Sequence, residues 1–451
     1  MIAPARQIAF RILNQMTNAD AHSDELLRSP EVDRLSAVDR NLTTTLVMGT
    51  LRWQLALDAR IRRHLARPDT RLSVEVATAL QMGAYQLLHL ERVPAYAVIH
   101  DSVELVKQGK ERSAAGMINA VLRKIQATGP MPQATKDHSA AGSAAISAHP
   151  AWMVERWVRQ YGEDAAEAIC RWDQEPAGTT LRMDPGVDLS RLDTEPGFFL
   201  SCARRLVSGD APRSHVPGEG AVRIQDEASQ LVAEIAAAAV EGGRNVLDTC
   251  AAPGRKTAIL AERLPEAAIT AVDVSRKRLE GMRRILPESV AGKLTFKAAD
   301  AAAMDLEPEW DLILCDVPCS GTGTMARNPE IRFRLTEPSL KRRQVRQAAI
   351  LQAGLQGLRS NGRLVYSTCS LEPEENEQVV EEVLREAPEF RIVPVAGILD
   401  RLQERGIVTA EGRERLRSAN AGDFLRTVPG VHPCDGFFAA VVERIPAAGR
   451  Q

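Results

Sequence analysis

Apolar residues recur every three or four positions along the first 126 residues, the spacing that places them on one side of an α-helix. Three such stripes can be traced in this part of the 451-residue chain. They comprise Leu46, Thr50, Trp53, Leu57, Ile61 and Leu65, then Leu72, Val76, Leu80, Gly83, Leu87 and Leu90, and then Ala114, Met117, Ile118, Val121, Leu122 and Ile125. The pattern predicts a compact all-α domain over residues 1–126.

The helical periodicity is lost after this domain. Residues 127–148 are rich in Ala, Ser, Gly, Pro and Thr, and this composition predicts a flexible linker. A helix restarts at residues 149–157 (HPAWMVERW), and β-like pieces such as residues 179–183 (TTLRM) follow it. We therefore predict a small α+β module over residues 149–222.

Short apolar runs alternate with helical stretches from Val222 onward, which is the pattern of a mainly parallel sheet with right-handed crossovers. Strands are predicted at residues 245–248, 269–273, 294–296, 312–315 and 363–367, with a closing strand at residues 436–442. Helices are predicted at residues 256–264, 276–286 and 340–358. Residues 223–445 should thus form an α/β domain.

The balance of charge restricts where a nucleic acid could bind. The formal net charge is -2 and the isoelectric point is about 6.5, so any such surface must be a local patch. One candidate patch is Arg60, Arg62, Arg63, Arg67 and Arg71, and the other is Arg327, Arg332, Arg334, Lys341, Arg342, Arg343 and Arg346. For the first cluster we favour a solvated helix face. The second is the better candidate for a phosphate track, although a solvated helix face explains Lys341 to Arg346 nearly as well.

Composition also predicts a cellular setting. No apolar run approaches the roughly 20 residues that a membrane span requires. The seven cysteines are odd in number and lack the paired spacing of zinc sites. We therefore expect a soluble cytoplasmic protein with no membrane segment, no disulfide framework and no metal.

Two cysteines follow apolar runs at the predicted ends of strands. Residues 311–323 (DLILCDVPCSGTG) contain a buried-type strand that ends in Asp316 and is followed by Cys319 in a glycine-punctuated loop. Residues 364–370 (LVYSTCS) place Cys369 after a second such run. Because ligands of open α/β sheets bind beyond the carboxyl ends of the strands, both thiols should face a ligand there. A small buried hydrophobe is the alternative for either cysteine, and it is the one we favour for Cys170, Cys202, Cys315 and Cys434.

A second group of residues suggests a nucleoside site. Residues 248–257 (DTCAAPGRKT) join a strand to a helix through small residues, which lets backbone N–H groups approach a carboxylate or phosphate. Asp273, Asp300 and Asp316 end successive strands. Each aspartate alone is explained by turn formation, but three at one edge of a sheet favour a bound nucleoside.

Four motifs resemble the RNA cytosine-5 methyltransferases of the NSUN/RsmB family. They are residues 248–257 (DTCAAPGRKT), 316–323 (DVPCSGTG), 367–370 (STCS) and 225–230 (QDEASQ). The helical region resembles the NusB-type RNA-binding fold of the bacterial members. The resemblance implies a Rossmann-like sheet that uses S-adenosylmethionine as methyl donor. By resemblance, the donor is bound by Cys250, Ala251, Ala252, Pro253, Gly254, Arg255, Lys256, Asp273, Asp300 and Asp316. Arg255 stands where most relatives have a second glycine, so its own role stays open.

The resemblance also assigns chemistry. Carbon 5 of cytosine is a poor nucleophile until a thiolate adds to carbon 6, and in this family that thiol corresponds to Cys369. Cys319 would then assist loss of the carbon 5 proton and release of the enzyme, and Asp316 would contact the ring. The residues alone leave the two thiol roles open, since DNA cytosine-5 enzymes use the cysteine of a Pro-Cys loop.

The substrate implied is 16S rRNA, naked or partly assembled, modified by a monomeric enzyme. Two alternatives remain at this stage: the same chemistry on tRNA or another rRNA site, and a non-catalytic RNA-binding assembly factor. A DNA enzyme would leave the helical domain and Cys369 without a use.

Overall fold

The computed structural model describes residues 2–17, 21–129, 148–183, 187, 192–208, 222–240, 242–419 and 422–446. The chain divides into two compact units. Unit 1 consists of Met1–Pro176 and Met325–Arg334, and unit 2 consists of Ala177–Thr324 and Leu335–Gln451. Most of the predicted linker, residues 130–147, lies outside the described residues.

Unit 1 is helical, as the apolar stripes predict. Its helices are α1 (Pro4–Gln15), α2 (Ser23–Leu27), α3 (Pro30–Asp33), α4 (Ala37–Arg62), α5 (Val74–His89), α6 (Ala95–Gln108), α7 (Ala115–Thr128), α8 (Ala151–Tyr161) and α9 (Glu163–Gln174). Serine hydroxyls cap two of them, because Ser36 accepts the N–H of Asp39 and Ser73 accepts the N–H of Val76. Leu57 and Leu80, both from the predicted stripes, are completely buried in one core.

The segment Met325–Arg334 follows the Cys319 loop in sequence, yet it belongs to unit 1 and carries a short helix, α14 (Ile331–Arg334). Arg332 is 2% exposed and donates hydrogen bonds to the carbonyls of Arg52, Ala148 and Asp173. Arg52 in turn donates to the carbonyl of Ala326 at 3.0 Å. The assignment of Arg332 to a phosphate-binding patch is therefore wrong, since its guanidinium is enclosed by protein carbonyls.

We expect Arg332→Met to lower the free energy of unfolding by about 3 kcal/mol, because three buried carbonyls lose their donor. Urea denaturation followed by circular dichroism measures the loss. Arg342→Met is the matched control, since Arg342 is exposed. Equal stability of the two variants would contradict the structural role of Arg332.

Unit 2 contains two sheets. The smaller is antiparallel, with strands β1 (Thr180–Met183), β2 (Asp193–Pro196), β3 (Ala203–Ser208) and β4 (Val222–Ile224) in the order β2-β3-β1-β4. The larger has the order β10-β12-β9-β8-β5-β6-β7, with β11 paired to β12. Its strands are β5 (Asn245–Asp248), β6 (Ala268–Asp273), β7 (Leu294–Ala298), β8 (Trp310–Asp316), β9 (Leu358–Thr368), β10 (Phe390–Val393), β11 (Leu425–Thr427) and β12 (Phe437–Arg444).

Helices flank these strands in sequence. They are α10 (Glu227–Ala239), α11 (Arg255–Arg263), α12 (Arg276–Ile285), α13 (Glu288–Ala291), α15 (Glu337–Gln356), α16 (Glu377–Arg385), α17 (Val395–Glu404) and α18 (Ala410–Arg415). The α/β prediction is confirmed, with β5 to β9 parallel and β12 antiparallel to its neighbours. The predicted module over residues 149–222 is divided at Pro176, with α8 and α9 in unit 1 and β1 to β4 in unit 2.

The larger sheet is covered on both faces, which explains the continuous apolar runs in its strands. Leu312 and Leu314 of β8 pack in one hydrophobic cluster with α10 and α17. Ile313 and Cys315 pack in another with α15 and α16. Alternate residues of one strand therefore enter opposite cores.

Strand order determines where a ligand can bind. The chain runs outward from β5 to β6 and β7, and then returns to place β8 on the other side of β5. The carboxyl ends of β5 and β8 thus border the switch point of the sheet, where open α/β folds bind their ligands. Among the residues that the structure describes, no helix has both the length and the apolar composition needed to cross a membrane.

Candidate active site

Two sulfur atoms lie side by side at the carboxyl edge of the larger sheet. Cys319 follows β8 and Cys369 follows β9, and these two strands are parallel neighbours. Their Sγ atoms are 3.4 Å apart, and both residues are partly exposed. The sheet therefore brings together the two thiols that the sequence places 50 residues apart.

Hydroxyl groups join the two cysteine loops. The Oγ atoms of Ser320 and Ser370 are 2.9 Å apart, and Thr322 accepts the N–H of Leu371 at 2.8 Å. Gly323 donates its N–H to the carbonyl of Cys369 at 2.9 Å. A Cβ atom on Gly323 would meet the carbonyl oxygen of Gly436 at 2.3 Å, so only glycine fits there. Both loops are thus held as one surface.

The surroundings of Cys319 keep it protonated. A hydrogen bond with Cys369 raises its pKa well above the ordinary thiol value of 9.0, and burial and the charges of Cys369 and Glu375 act in the same direction. Cys319 is therefore a neutral thiol near pH 7 and can donate its proton toward the sulfur of Cys369.

Asp316 ends β8, three residues before Cys319. Its Oδ2 is 2.6 Å from Nζ of Lys256, and its Oδ1 accepts the hydroxyl of Ser367 at 2.8 Å. The ammonium of Lys256 also lies 5.0 Å from the centre of the Phe437 ring. One carboxylate thus connects the β8 loop with the small-residue loop after β5.

That small-residue loop leads into α11. Gly254 precedes the helix with a φ of 97°, in the left-handed region that glycine adopts readily, and a Cβ there would meet Met282 at 2.7 Å. Ala251 and Ala252 are buried before it. Arg255 is the first residue of the helix, with an ordinary helical backbone and an exposed side chain.

Buried side chains stabilise the small-residue loop. Burial raises the pKa of Asp248 to about 7, and Thr257 donates a 2.7 Å hydrogen bond to its carboxyl group. Burial also raises the pKa of Cys250, whose thiol is therefore neutral near pH 7. These two groups support the loop, and the exposed Pro253 lies on its outer side.

The two remaining aspartates end or follow neighbouring strands. Asp273, 3% exposed at the end of β6, accepts the N–H of Ser275 and pairs with Arg278 at 3.2 Å. Arg278 also donates to the carbonyl of Ala252 at 2.6 Å, which ties Asp273 to the β5 loop. Asp300 follows β7 and pairs with Arg346 at 2.9 Å.

These residues fit a nucleoside that carries an amino-acid group. Helix α11 begins at Arg255, directly after a turn of small residues, and the N-terminus of a helix favours a carboxylate or phosphate. A buried carboxylate, Asp273, stands at the end of the adjacent strand, where ribose hydroxyls are bound in such folds. Arg278 was not predicted, because an exposed arginine carries no signal in sequence.

Two residues around Cys319, Gln347 and Glu375, were also missed, and Arg343 was predicted only as part of a phosphate-binding patch. Arg343 donates to the carbonyl of Cys319, Gln347 to that of Pro318, and Glu375 accepts the N–H of Ser320. Glu375 lies in the acidic run 372–377, and Glu375 and Glu372 are both buried. The basic run after the Cys319 loop thus includes Arg343 and Arg346, which contact site residues.

Comparison with known proteins identifies the family. Residues 235–443 match the family described as 16S rRNA methyltransferase RsmB/F, and residues 3–127 match the NusB family. Residues 149–186 match the ferredoxin-like domain of RsmF/B-like methyltransferases. The chain is 32% identical over 454 residues to the probable ribosomal RNA small subunit methyltransferase B of Bacillus subtilis, covering 96% of this chain and 97% of that one. The chain belongs to the RsmB/F methyltransferase family.

Other members of the family align over comparable lengths. The ribosomal RNA small subunit methyltransferase B of Xanthomonas campestris is 32% identical, with 90% of this chain and 89% of that protein aligned. The RsmB/F assignment therefore includes the NusB-type helical region as well as the methyltransferase sheet.

Solved structures share the fold. The crystal structure of PH0851 superposes with a TM-score of 0.77 at 21% identity, covering 98% of this chain and 99% of that one. A methyltransferase homologue from Pyrococcus horikoshii has a TM-score of 0.52 at 24% identity, covering 68% of this chain and 99% of its own. At these identities the likeness establishes the fold of this RsmB/F member alone.

Proposed function

We propose that the protein transfers a methyl group from S-adenosylmethionine to carbon 5 of a cytosine in 16S rRNA. The observation that carries the proposal is the pair of sulfur atoms 3.4 Å apart, at the carboxyl ends of the neighbouring strands β8 and β9. Most methyl transfers to nitrogen or oxygen need no enzyme nucleophile, whereas transfer to this carbon requires a thiolate. A site with two thiols therefore fits the carbon reaction best.

In this proposal the methyl donor lies beyond the ends of β5 and β6. The backbone of residues 250–256 and the carboxylate of Asp273 would hold it, with Asp300 near the adenine. S-adenosylmethionine supplies an electrophilic methyl group on a sulfonium. Lys256 and Asp316, which are paired at 2.6 Å, would border the donor on the side of the cysteines.

Cys369 would act as the nucleophile. Its sulfur would form a bond to carbon 6 of the cytosine, and the electron pair of the broken 5,6 π bond would shift onto carbon 5, delocalised toward ring nitrogen 3. That electron pair makes carbon 5 nucleophilic and would form the new bond to the methyl group. The hydrogen bond from the Cys319 thiol stabilises the attacking thiolate. Asp316 would contact ring nitrogen 3 and stabilise the charge that develops there.

Cys319 would then complete the reaction. When the sulfur of Cys369 bonds to carbon 6, its negative charge disappears, and so does one of the causes that raise the Cys319 pKa. Cys319 can then release its proton to water and accept the proton from carbon 5. Loss of that proton restores the double bond as the bond between Cys369 and carbon 6 breaks.

The enzyme can act only on a cytosine whose carbon 6 is accessible. A paired and stacked cytosine hides carbon 6, so the target base must be unpaired or flipped out. Names of the relatives specify the small ribosomal subunit, and we extend that substrate to this chain. We further propose that a cytoplasmic monomer acts on naked or partly assembled rRNA, with the NusB-type domain contributing affinity.

Methyl transfer to purified, unmodified 16S rRNA tests the function. With labelled S-adenosylmethionine we expect a single 5-methylcytosine, located at nucleotide resolution by bisulfite sequencing. Assembled small subunits and total tRNA serve as parallel substrates, and both should accept less label. Label in tRNA alone, or at a position other than carbon 5, would refute the proposal.

A further inference from the structure

Three consecutive backbone groups around Cys319 are held by three side chains that do not touch the predicted donor site. Gln347 of α15 donates to the carbonyl of Pro318 at 3.0 Å, and Arg343 of α15 donates to the carbonyl of Cys319 at 3.1 Å. Glu375 accepts the N–H of Ser320 with both carboxylate oxygens, at 2.9 and 3.1 Å. The Cys319 peptide therefore has little freedom to move.

Glu375 differs from the other two because it is fully buried, with 0% exposure. It lies at the end of a 3-10 turn, Pro373–Glu375. Its carboxylate accepts a peptide N–H from Ser320 and an amide N–H from Gln347 at 3.0 Å, and both of these donors are neutral. A charge buried among neutral donors is poorly screened, so it acts strongly on neighbouring ionisable groups.

The ionisable groups that face Cys319 are Cys369, Glu375, Arg343 and Tyr366. The hydrogen bond with Cys369 is the largest cause that raises the Cys319 pKa, followed by burial and by the negative charges of Cys369 and Glu375. Burial raises the pKa of Tyr366, which therefore stays neutral, and its hydroxyl donates to the main-chain carbonyl of Glu375 at 2.6 Å. Arg343 binds the carbonyl of Cys319.

We propose that Glu375 is a positioning residue for the two thiols: its carboxylate anchors the Cys319 loop through the N–H of Ser320 and places a buried negative charge near the Cys319 thiol, which leaves Cys369 as the attacking sulfur. The inference rests on the proposed cytosine-5 chemistry. It explains how two equivalent thiols in contact acquire different roles. The carboxylate acts through Cys319 and need not touch the RNA.

Alkylation of the RNA-free enzyme tests this inference independently of methyl transfer. The full-length protein is treated with iodoacetamide at steps from about pH 6 to about pH 10, and the rate at Cys319 is read by mass spectrometry of peptides. Because the Cys319 pKa lies well above 9.0, the midpoint pH is obtained by scaling the rising rates to the rate of the same cysteine in unfolded protein. For Glu375→Gln we expect the midpoint pH of Cys319 alkylation to fall by roughly one unit or more. Glu381→Gln removes an exposed carboxylate from α16 and should leave the midpoint unchanged.

A second variant separates charge from position. Glu375→Asp keeps the carboxylate but draws it back by one methylene, so the Cys319 midpoint should stay close to the wild-type value while the rate of methyl transfer falls about tenfold or more. If Glu375→Gln does not fold, the Asp variant decides alone, and wild-type turnover in it would overturn the proposal.

The inference is also overturned if Glu375→Gln folds and its Cys319 midpoint equals that of wild type. Equal shifts in the Gln and Asp variants would likewise overturn it, since packing and not charge would then be the cause. If the Cys319 midpoint shifts in Glu375→Gln but the wild-type enzyme methylates no RNA, the role of Glu375 is retained and the proposed function is rejected.

Discussion

Cys369→Ala is expected to reduce methyl transfer below about one thousandth of the wild-type rate, because the variant lacks the proposed nucleophile for carbon 6 of the target base. The affinity for S-adenosylmethionine should change less than about twofold, since the predicted donor loop follows β5 whereas Cys369 follows β9. Transfer of labelled methyl to 16S rRNA and calorimetric titration of the donor measure the two effects. Cys202→Ala, which removes a partly exposed thiol directly before β3, is the matched control.

Substantial turnover in Cys369→Ala would reverse the thiol roles. The sulfur of Cys319 lies 3.4 Å from that of Cys369 and could reach the same face of the base. Cys319→Ala would then be the inactive variant, as in enzymes that attack through the cysteine of a Pro-Cys loop. The pair of single variants therefore decides which sulfur is the nucleophile.

Cys319→Ala is expected to trap a covalent complex of the enzyme and its RNA. Cys369 can still add to carbon 6 and methylation can follow, but the proton on carbon 5 has no acceptor, so the sulfur-carbon bond persists. Labelled 16S rRNA should migrate with the protein on a denaturing gel, and this band should contain most of the active enzyme.

The double variant Cys319→Ala/Cys369→Ala is the control for this trap, because it lacks the attacking sulfur and should give no band. If Cys319→Ala alone forms no adduct, release does not depend on Cys319. Another base must then remove the carbon 5 proton, and the hydrogen bond between the two thiols would serve only to position Cys369.

Strands buried on both faces could be predicted from sequence. Residues 312–315 form an uninterrupted apolar run because alternate side chains enter two different cores, and the observed strand β8 contains that run. The short strands β10 and β11 were missed. Each pairs with β12, and a segment of three or four residues shows no pattern until its partner is known.

The cysteine and aspartate positions could be predicted because each follows a recognisable strand. Their supporting residues could not. Glu375 belongs to the acidic run 372–377, whose composition gives no sign of a buried contact, yet it accepts the N–H of Ser320, 55 residues earlier in the chain. Arg332 was assigned to a phosphate-binding patch because basic residues surround it in the sequence. Its acceptors nevertheless include the carbonyl of Arg52, 280 residues away. Contacts at such separations leave no trace in local composition.

The path of the segment Met325–Arg334 limits how this protein can be dissected. The chain leaves unit 2 after Thr324 and rejoins it at Leu335. A gene fragment that starts at Ala177 would encode the whole sheet but would also carry this segment, with Arg332 deprived of the carbonyls of Arg52, Ala148 and Asp173. Truncation at the apparent boundary would therefore disturb the stretch that immediately follows the Cys319 loop, and loss of activity in such a fragment would not by itself demonstrate a role for the helical region in RNA binding.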